Sequence, residues 1–100
     1  MRIDKEPVEF EWDKGNAGKN LKHGVSDYEC EEIFFDEAKR VLKDVLHSES
    51  EERHILLGKT KKSKLLYVVH TKRGRKIRVI SARPMNRKER PLYEKATERS

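Results

Sequence analysis

The chain has little from which to build a covalent or metal-held scaffold. Cys30 is its one cysteine, so neither an internal disulfide nor a thiolate metal cluster can form. Histidines at zinc-ligand spacing are missing, and neither a metal site nor a cofactor is expected. No apolar run reaches the roughly 18 residues a membrane span needs, and Met1 opens no hydrophobic leader segment. A cytoplasmic protein without membrane contact is the expectation. Repeats, low-complexity tracts and internal linkers are also lacking, so 100 residues make one domain around a single modest core. Its ordered part is expected over about residues 8–96, with polar, loose ends.

Apolar residues are scarce too, at 34% against 42% charged, so charge must cover most of the surface. The net charge is +6. Acidic residues crowd positions 27–52, and most Lys and Arg lie in 59–90. Such a split suits a polyanion on one face. It also suits mere solubility.

What the chain does have is the stretch Leu65 to Arg83, two β-prone runs around Lys72-Arg73-Gly74-Arg75. This reads as strand, glycine turn, strand. The first run is apolar at nearly every position, as in a strand covered on both faces. In the second, Ile77, Val79 and Ser81 alternate with Lys76, Arg78, Ile80 and Ala82, so the two sets should face opposite ways. Gly74 can supply the positive φ of a tight hairpin. His54 to Gly58 reads as a third strand, giving a three-stranded antiparallel meander as the floor of the fold.

Val8 to Trp12 alternates and reads as a short strand. Asp13 can cap a helix from Lys14 to His23, weakened by Gly15 and Gly18, with Ala17 and Leu21 as its buried stripe and Gly24 as its stop. Ser26-Asp27-Tyr28-Glu29 is a capping box for a second helix that buries Cys30, Ile33 and Phe34. Cys30 is then a small core residue. Ala38, Val41, Leu42, Val45 and Leu46 keep helical spacing, with a strand as the rival. His47 to Ser50 reads as a polar loop. Asn86-Arg87-Lys88-Glu89 caps a last helix to about Ala96, which Pro91 either kinks or restarts from its first turn.

Several segments together resemble the BrnT toxins, the ribonuclease half of type II toxin–antitoxin pairs. They are Phe10 to Asp13, Asn20 to Ser26, Glu51-Glu52-Arg53 with Leu57-Gly58, Ile77 to Arg83, and Arg87 to Arg90 with Tyr93. The resemblance implies an α+β, RelE-like fold: a small twisted antiparallel sheet, two N-terminal helices and a C-terminal helix. It also implies a strand over residues 38–43, against the periodicity. Its other implications are an RNA substrate and a BrnA-type ribbon-helix-helix antitoxin, with operator DNA bound only through that partner. The chain departs from the pattern at Gly15, Gly18, Pro84-Met85 and Pro91.

Metal-free RNA cleavage needs a base for the 2′-hydroxyl, cations for the phosphorane and an acid for the leaving 5′-oxygen. Arginine's planar fork suits the second task. Arg53, Arg78 and Arg83 lie on or beside the proposed sheet and are the candidate catalytic cations, with salt bridges to Glu51, Glu52 or Glu89 as the alternative. His23 is the candidate imidazole, or else a helix C-terminal cap. Lys22, Arg87, Arg90 and Tyr93 are candidate RNA contacts, though such a tyrosine can equally pack on the sheet. Trp12 reads as a core anchor. His54 and His70 carry no motif. An endoribonuclease toxin is the leading expectation; a non-catalytic nucleic-acid-binding module or a protein-interaction module of the same fold is the alternative.

Overall fold

The computed structural model describes residues 9–45 and 51–98; the expected loop His47 to Ser50, Leu46 and Val8 lie outside them. Five strands form one sheet among these residues: β1 (Glu9–Phe10), β2 (Arg40–Lys43), β3 (Arg53–Lys59), β4 (Leu65–Arg73) and β5 (Lys76–Pro84). Two helices, α1 (Asp27–Glu32) and α2 (Glu89–Glu98), complete an α+β fold. The strand order is β1-β5-β4-β3-β2. The meander of β3, β4 and β5 is antiparallel, and β4 and β5 are joined through Gly74-Arg75 with Gly74 at φ +63°.

The sheet is mixed, which corrects the expectation of a wholly antiparallel one. β1 runs parallel to β5, pairing Glu9 with Lys76 and Phe10 with Ile77. No hairpin ties these strands, so the direction of β1 is set by what it buries. Phe10 packs edge-on against Phe34, ring centroids 5.2 Å apart.

Residues 40–43 form a strand despite their helical spacing. Paired with β3 (Arg40 with Leu57, Lys43 with His54), β2 satisfies its backbone on a partner that no local pattern reveals.

The first predicted helix is absent. Residues 14–18 form turns, and a 3-10 turn follows over Lys19–His23. Gly18 sits at φ +68°, which ends helical geometry where the prediction placed the middle of the helix. The predicted stripe fails with it: Leu21 and Ala17 are exposed, and Asn16 and Asn20 are buried instead. Their burial has a backbone cause. Asn16 Nδ2 donates to the Val79 carbonyl at 2.9 Å, and Asn20 Oδ1 accepts from the Ala82 N–H at 2.9 Å. The two amides satisfy the outer edge of β5 where β1 no longer reaches it.

β5 is also bulged against β4. Val69 faces Ser81 and His70 faces Val79, so Ile80 is an extra residue. Ala82 therefore joins Ile77 and Val79 in the core, not Arg78 and Ile80 as unbroken alternation predicts.

The capping box at Ser26 is present: Ser26 Oγ accepts from the Glu29 N–H, and Glu29 returns a carboxylate to the Ser26 N–H. Cys30, Ile33 and Phe34 then pack with Val25 onto Leu56, Leu66, Val68, Ile77, Val79 and Ala82. Gly58 admits this contact, since a Cβ there would lie 2.8 Å from Ile33 Cβ. Burial among apolar and acidic neighbours pushes the Cys30 thiol up to about 12. Trp12 lies at the margin of this core and donates from Nε1 to Glu31 at 2.7 Å.

Among the described residues, α2 packs on the opposite face at one end. α2 is capped by Asn86, whose Oδ1 accepts from Glu89 N and whose N–H donates to the Glu89 carboxylate. Pro91 falls in the first turn, where its missing N–H costs nothing. Tyr93 and Met85 pack with Leu57, Leu65 and Tyr67.

Candidate active site

Pleat and register bring the arginines to the half-covered face. Arg53 pairs with Thr71, and Thr71 with Arg78. The three side chains form one cross-strand row, with neighbouring strands about 4.8 Å apart. Arg83 pairs with Tyr67, four residues from Thr71 along β4 and so on the same face, about 13 Å along it. Five positions separate Arg78 from Arg83, and a regular strand would put them on opposite faces. The bulge at Ile80 restores them to one.

The row continues onto β1. Glu11 follows Phe10, and its N–H donates to the Ile77 carbonyl at 2.9 Å. Its carboxylate accepts from Arg78 Nη1 at 3.0 Å and from Arg73 Nη1 at 3.2 Å. Asp13 takes the fork of the same guanidinium, Oδ2 to Nη1 at 2.9 Å and Oδ1 to Nη2 at 3.0 Å. The hydrogen bonds from Arg78 and from the Gly15 N–H hold the Asp13 carboxyl below its ordinary range, and Asp13 in turn raises Arg78. Gly15 lies against the pairing: a Cβ there would stand 2.7 Å from Arg78 Nη2, so a side chain at 15 would require the guanidinium to shift. The glycine that weakens the predicted helix is thus the space into which Arg78 fits.

Thr71 is buried, its hydroxyl donating to the Glu52 carbonyl at 2.7 Å. Arg83 is forked onto Glu89, at 2.9 and 2.7 Å, and its guanidinium carbon lies 3.9 Å from the Tyr67 ring centroid. The paired Glu89 raises the Arg83 guanidinium further.

The remaining sequence candidates fall elsewhere. Lys22 and His23 are exposed at the end of the 3-10 turn. The next residue, Gly24, accepts from Lys64 Nζ at 2.7 Å, at the far end of β4 from Thr71. Seven residues of strand separate Lys64 from Thr71, about 23 Å. The structure does not bring His23 to the Arg53–Arg78 row. Arg87 and Arg90 are exposed around the start of α2, toward the Arg83 end.

Tyr93 is not placed for base stacking: it is 3% exposed, and its hydroxyl donates to Asp36 at 2.6 Å. Burial and the Asp36 carboxylate both raise the phenol. Burial pushes Asp36 up, but hydrogen bonds from Tyr93, Ala38 and Lys59 outweigh it and leave the carboxyl low.

His70 lies on the helix-covered face between Phe34 and His54, with ring centroids 4.9 and 5.8 Å away. Burial, with smaller repulsion from His54 and Lys72, lowers it to about 4, so it is neutral at pH 7. Among the described residues no three of His, Cys, Asp and Glu converge as metal ligands, and no helix is long and apolar enough to cross a membrane.

Sequence reasoning missed Glu11, Asp13, Thr71 and Arg73. One signal was present: in Glu9-Phe10-Glu11 the alternation that buries Phe10 turns Glu11 to the other face.

Compared with known proteins, residues 12–89 match the model of the BrnT family, described as the ribonuclease toxin of type II toxin–antitoxin systems. A search of curated proteins returned no match.

Proposed function

The chain belongs to the BrnT family of ribonuclease toxins, and from that premise we propose that it cuts RNA internally, without metal, at the row Arg53–Thr71–Arg78. The observation that carries the reading is that row, set on the part of the sheet face beyond α2, with the Arg78 side chain 16% exposed. Guanidiniums fixed on strands are preorganised for the charge that builds on a phosphorane, which is where electrostatic catalysis is largest. Arg83, Arg87 and Arg90 extend positive charge along the same side and guide the RNA strand. Cleavage of cytoplasmic RNA arrests translation. Membership of a type II system implies an antitoxin protein. We assign that role to a BrnA-type ribbon-helix-helix protein that covers the arginine face and carries the complex to operator DNA.

Purified chain incubated with total RNA in EDTA tests the reading. Fragments with 2′,3′-cyclic phosphate ends are expected, and Arg78→Ala should reduce their rate roughly 100- to 1,000-fold with the circular dichroism spectrum unchanged. Salt-sensitive RNA binding without any cutting would instead leave a nucleic-acid-binding module.

A further inference from the structure

One guanidinium, Arg78, holds two carboxylates that differ in every physical respect. Asp13 takes the two-pronged fork, the geometry in which guanidinium also grips two oxygens of a phosphodiester. It stands on a turn, with its side chain 54% exposed. Glu11 takes a single Nη1 contact from the side, is 25% exposed, and is tied by its own N–H to β5. A phosphate approaching from solvent can displace Asp13 by moving a turn. Glu11 is harder to displace, because its backbone is tied to β5 and its carboxylate is also held by Arg73 Nη1 at 3.2 Å. With a phosphate on the fork, Glu11 would remain beside it on Arg78 Nη1, on the side from which a base can take the proton of the neighbouring 2′-hydroxyl.

We propose that Glu11 is the general base of the cleavage and that Asp13 occupies the seat of the scissile phosphate in the RNA-free protein. The inference rests on the nuclease reading above. Glu11 takes the proton of the 2′-hydroxyl as the 2′-oxygen bonds to phosphorus. Arg78 and Arg53 hold the phosphorane oxygens. The bond from phosphorus to the 5′-oxygen breaks, and that oxygen leaves with a proton from water. The products are a 2′,3′-cyclic phosphate and a 5′-hydroxyl. Arg73 keeps the Glu11 carboxylate turned toward Arg78. His23, held at the other end of the sheet, has no part in the proton transfer.

Steady-state cleavage of a short RNA oligonucleotide in EDTA, followed across pH, tests this. Glu11→Gln keeps an oxygen for Arg78 but cannot take a proton. Its kcat should fall about 100- to 10,000-fold with KM within roughly threefold, and the decline of kcat toward acid pH expected of the wild type should be absent. Glu11→Asp, the variant to use should glutamine disturb the fold, should lose less and keep that acid decline. Asp13→Asn should lower KM. A Glu11→Gln protein that cuts within threefold of wild type, or keeps the acid decline, overturns the base assignment while the nuclease stands. A raised KM in Asp13→Asn overturns the phosphate seat. A wild-type chain that leaves RNA whole overturns the nuclease reading beneath both.

Discussion

The two faces of this sheet are built from the same strands and by different rules. On the face under α1, Leu56, Leu66, Val68, Ile77, Val79 and Ala82 meet Val25, Cys30, Ile33 and Phe34, and volume decides what is allowed. On the other face α2 packs at the Leu57–Tyr67 end, and at the other end the buried Thr71 is flanked by the charged Arg53 and Arg78. The closed face supplies the stability and rigidity that let the open one hold long cationic side chains in register. Damage to each should therefore read out differently.

The largest separation is expected from paired substitutions. Arg78→Ala should abolish nearly all cleavage, and, although it strands Glu11 and Asp13, it should lower the urea midpoint less than a closed-face truncation does. Ile33→Ala, on the closed face, should cost about 2–5 kcal/mol of stability. At low temperature, where it remains folded, it should still cut at close to the wild-type rate. Loss of both properties in either variant would show that the two faces are not independent.

Acid should strike the closed face before the open one is fully protonated. His70 is buried neutral, with its folded value lowered to about 4 from the ordinary 6.5. The unfolded state therefore binds a proton that the folded state refuses. Stability is complete above about pH 6.5 and falls as pH drops toward 4, by about 3 kcal/mol at most. Urea titrations at pH 7 and 4.5 should show this loss in the wild type and a smaller one in His70→Leu. Equal losses in the two would place the acid sensitivity elsewhere.

A smaller effect is expected at the sealed edge. Asn20→Ala leaves the buried Ala82 N–H without its acceptor and should cost about 1–3 kcal/mol. Hydrogen exchange at Ala82 should quicken more than at Val68. Smallest is the expected reactivity of Cys30: buried and raised to about 12, it should resist an aromatic disulfide reagent at pH 8 until the chain is unfolded.

Local signals were strong where a side chain answers its own neighbourhood. The Gly74 hairpin, the Ser26 and Asn86 capping boxes and the Cys30-Ile33-Phe34 stripe depend on residues within about four positions of one another, and all are present. Strand β2 was legible only through the family resemblance, because its partner β3 lies across a gap that helical spacing cannot see. The arginines were legible as a set, since charge on an otherwise apolar strand is conspicuous. Their acidic partners were not, because Glu11 and Asp13 reach Arg78 across more than sixty residues. The family's Asn20-to-Ser26 segment suggested a catalytic histidine, whereas the tertiary structure uses the asparagine of that segment to seal β5 and leaves His23 at the far end of the sheet.

By itself the sequence determined a basic α+β chain with a central hairpin, two capped helices and arginines at 53, 78 and 83. Such features follow from short-range periodicity and from residue chemistry. Only the tertiary structure decided that β1 enters parallel, that one bulge at Ile80 turns Arg83 to the side of Arg78, and that Glu11 and Asp13 share one guanidinium. Each of these depends on which distant backbone groups pair, and pairing is settled by the packing of the whole sheet rather than by any segment of it.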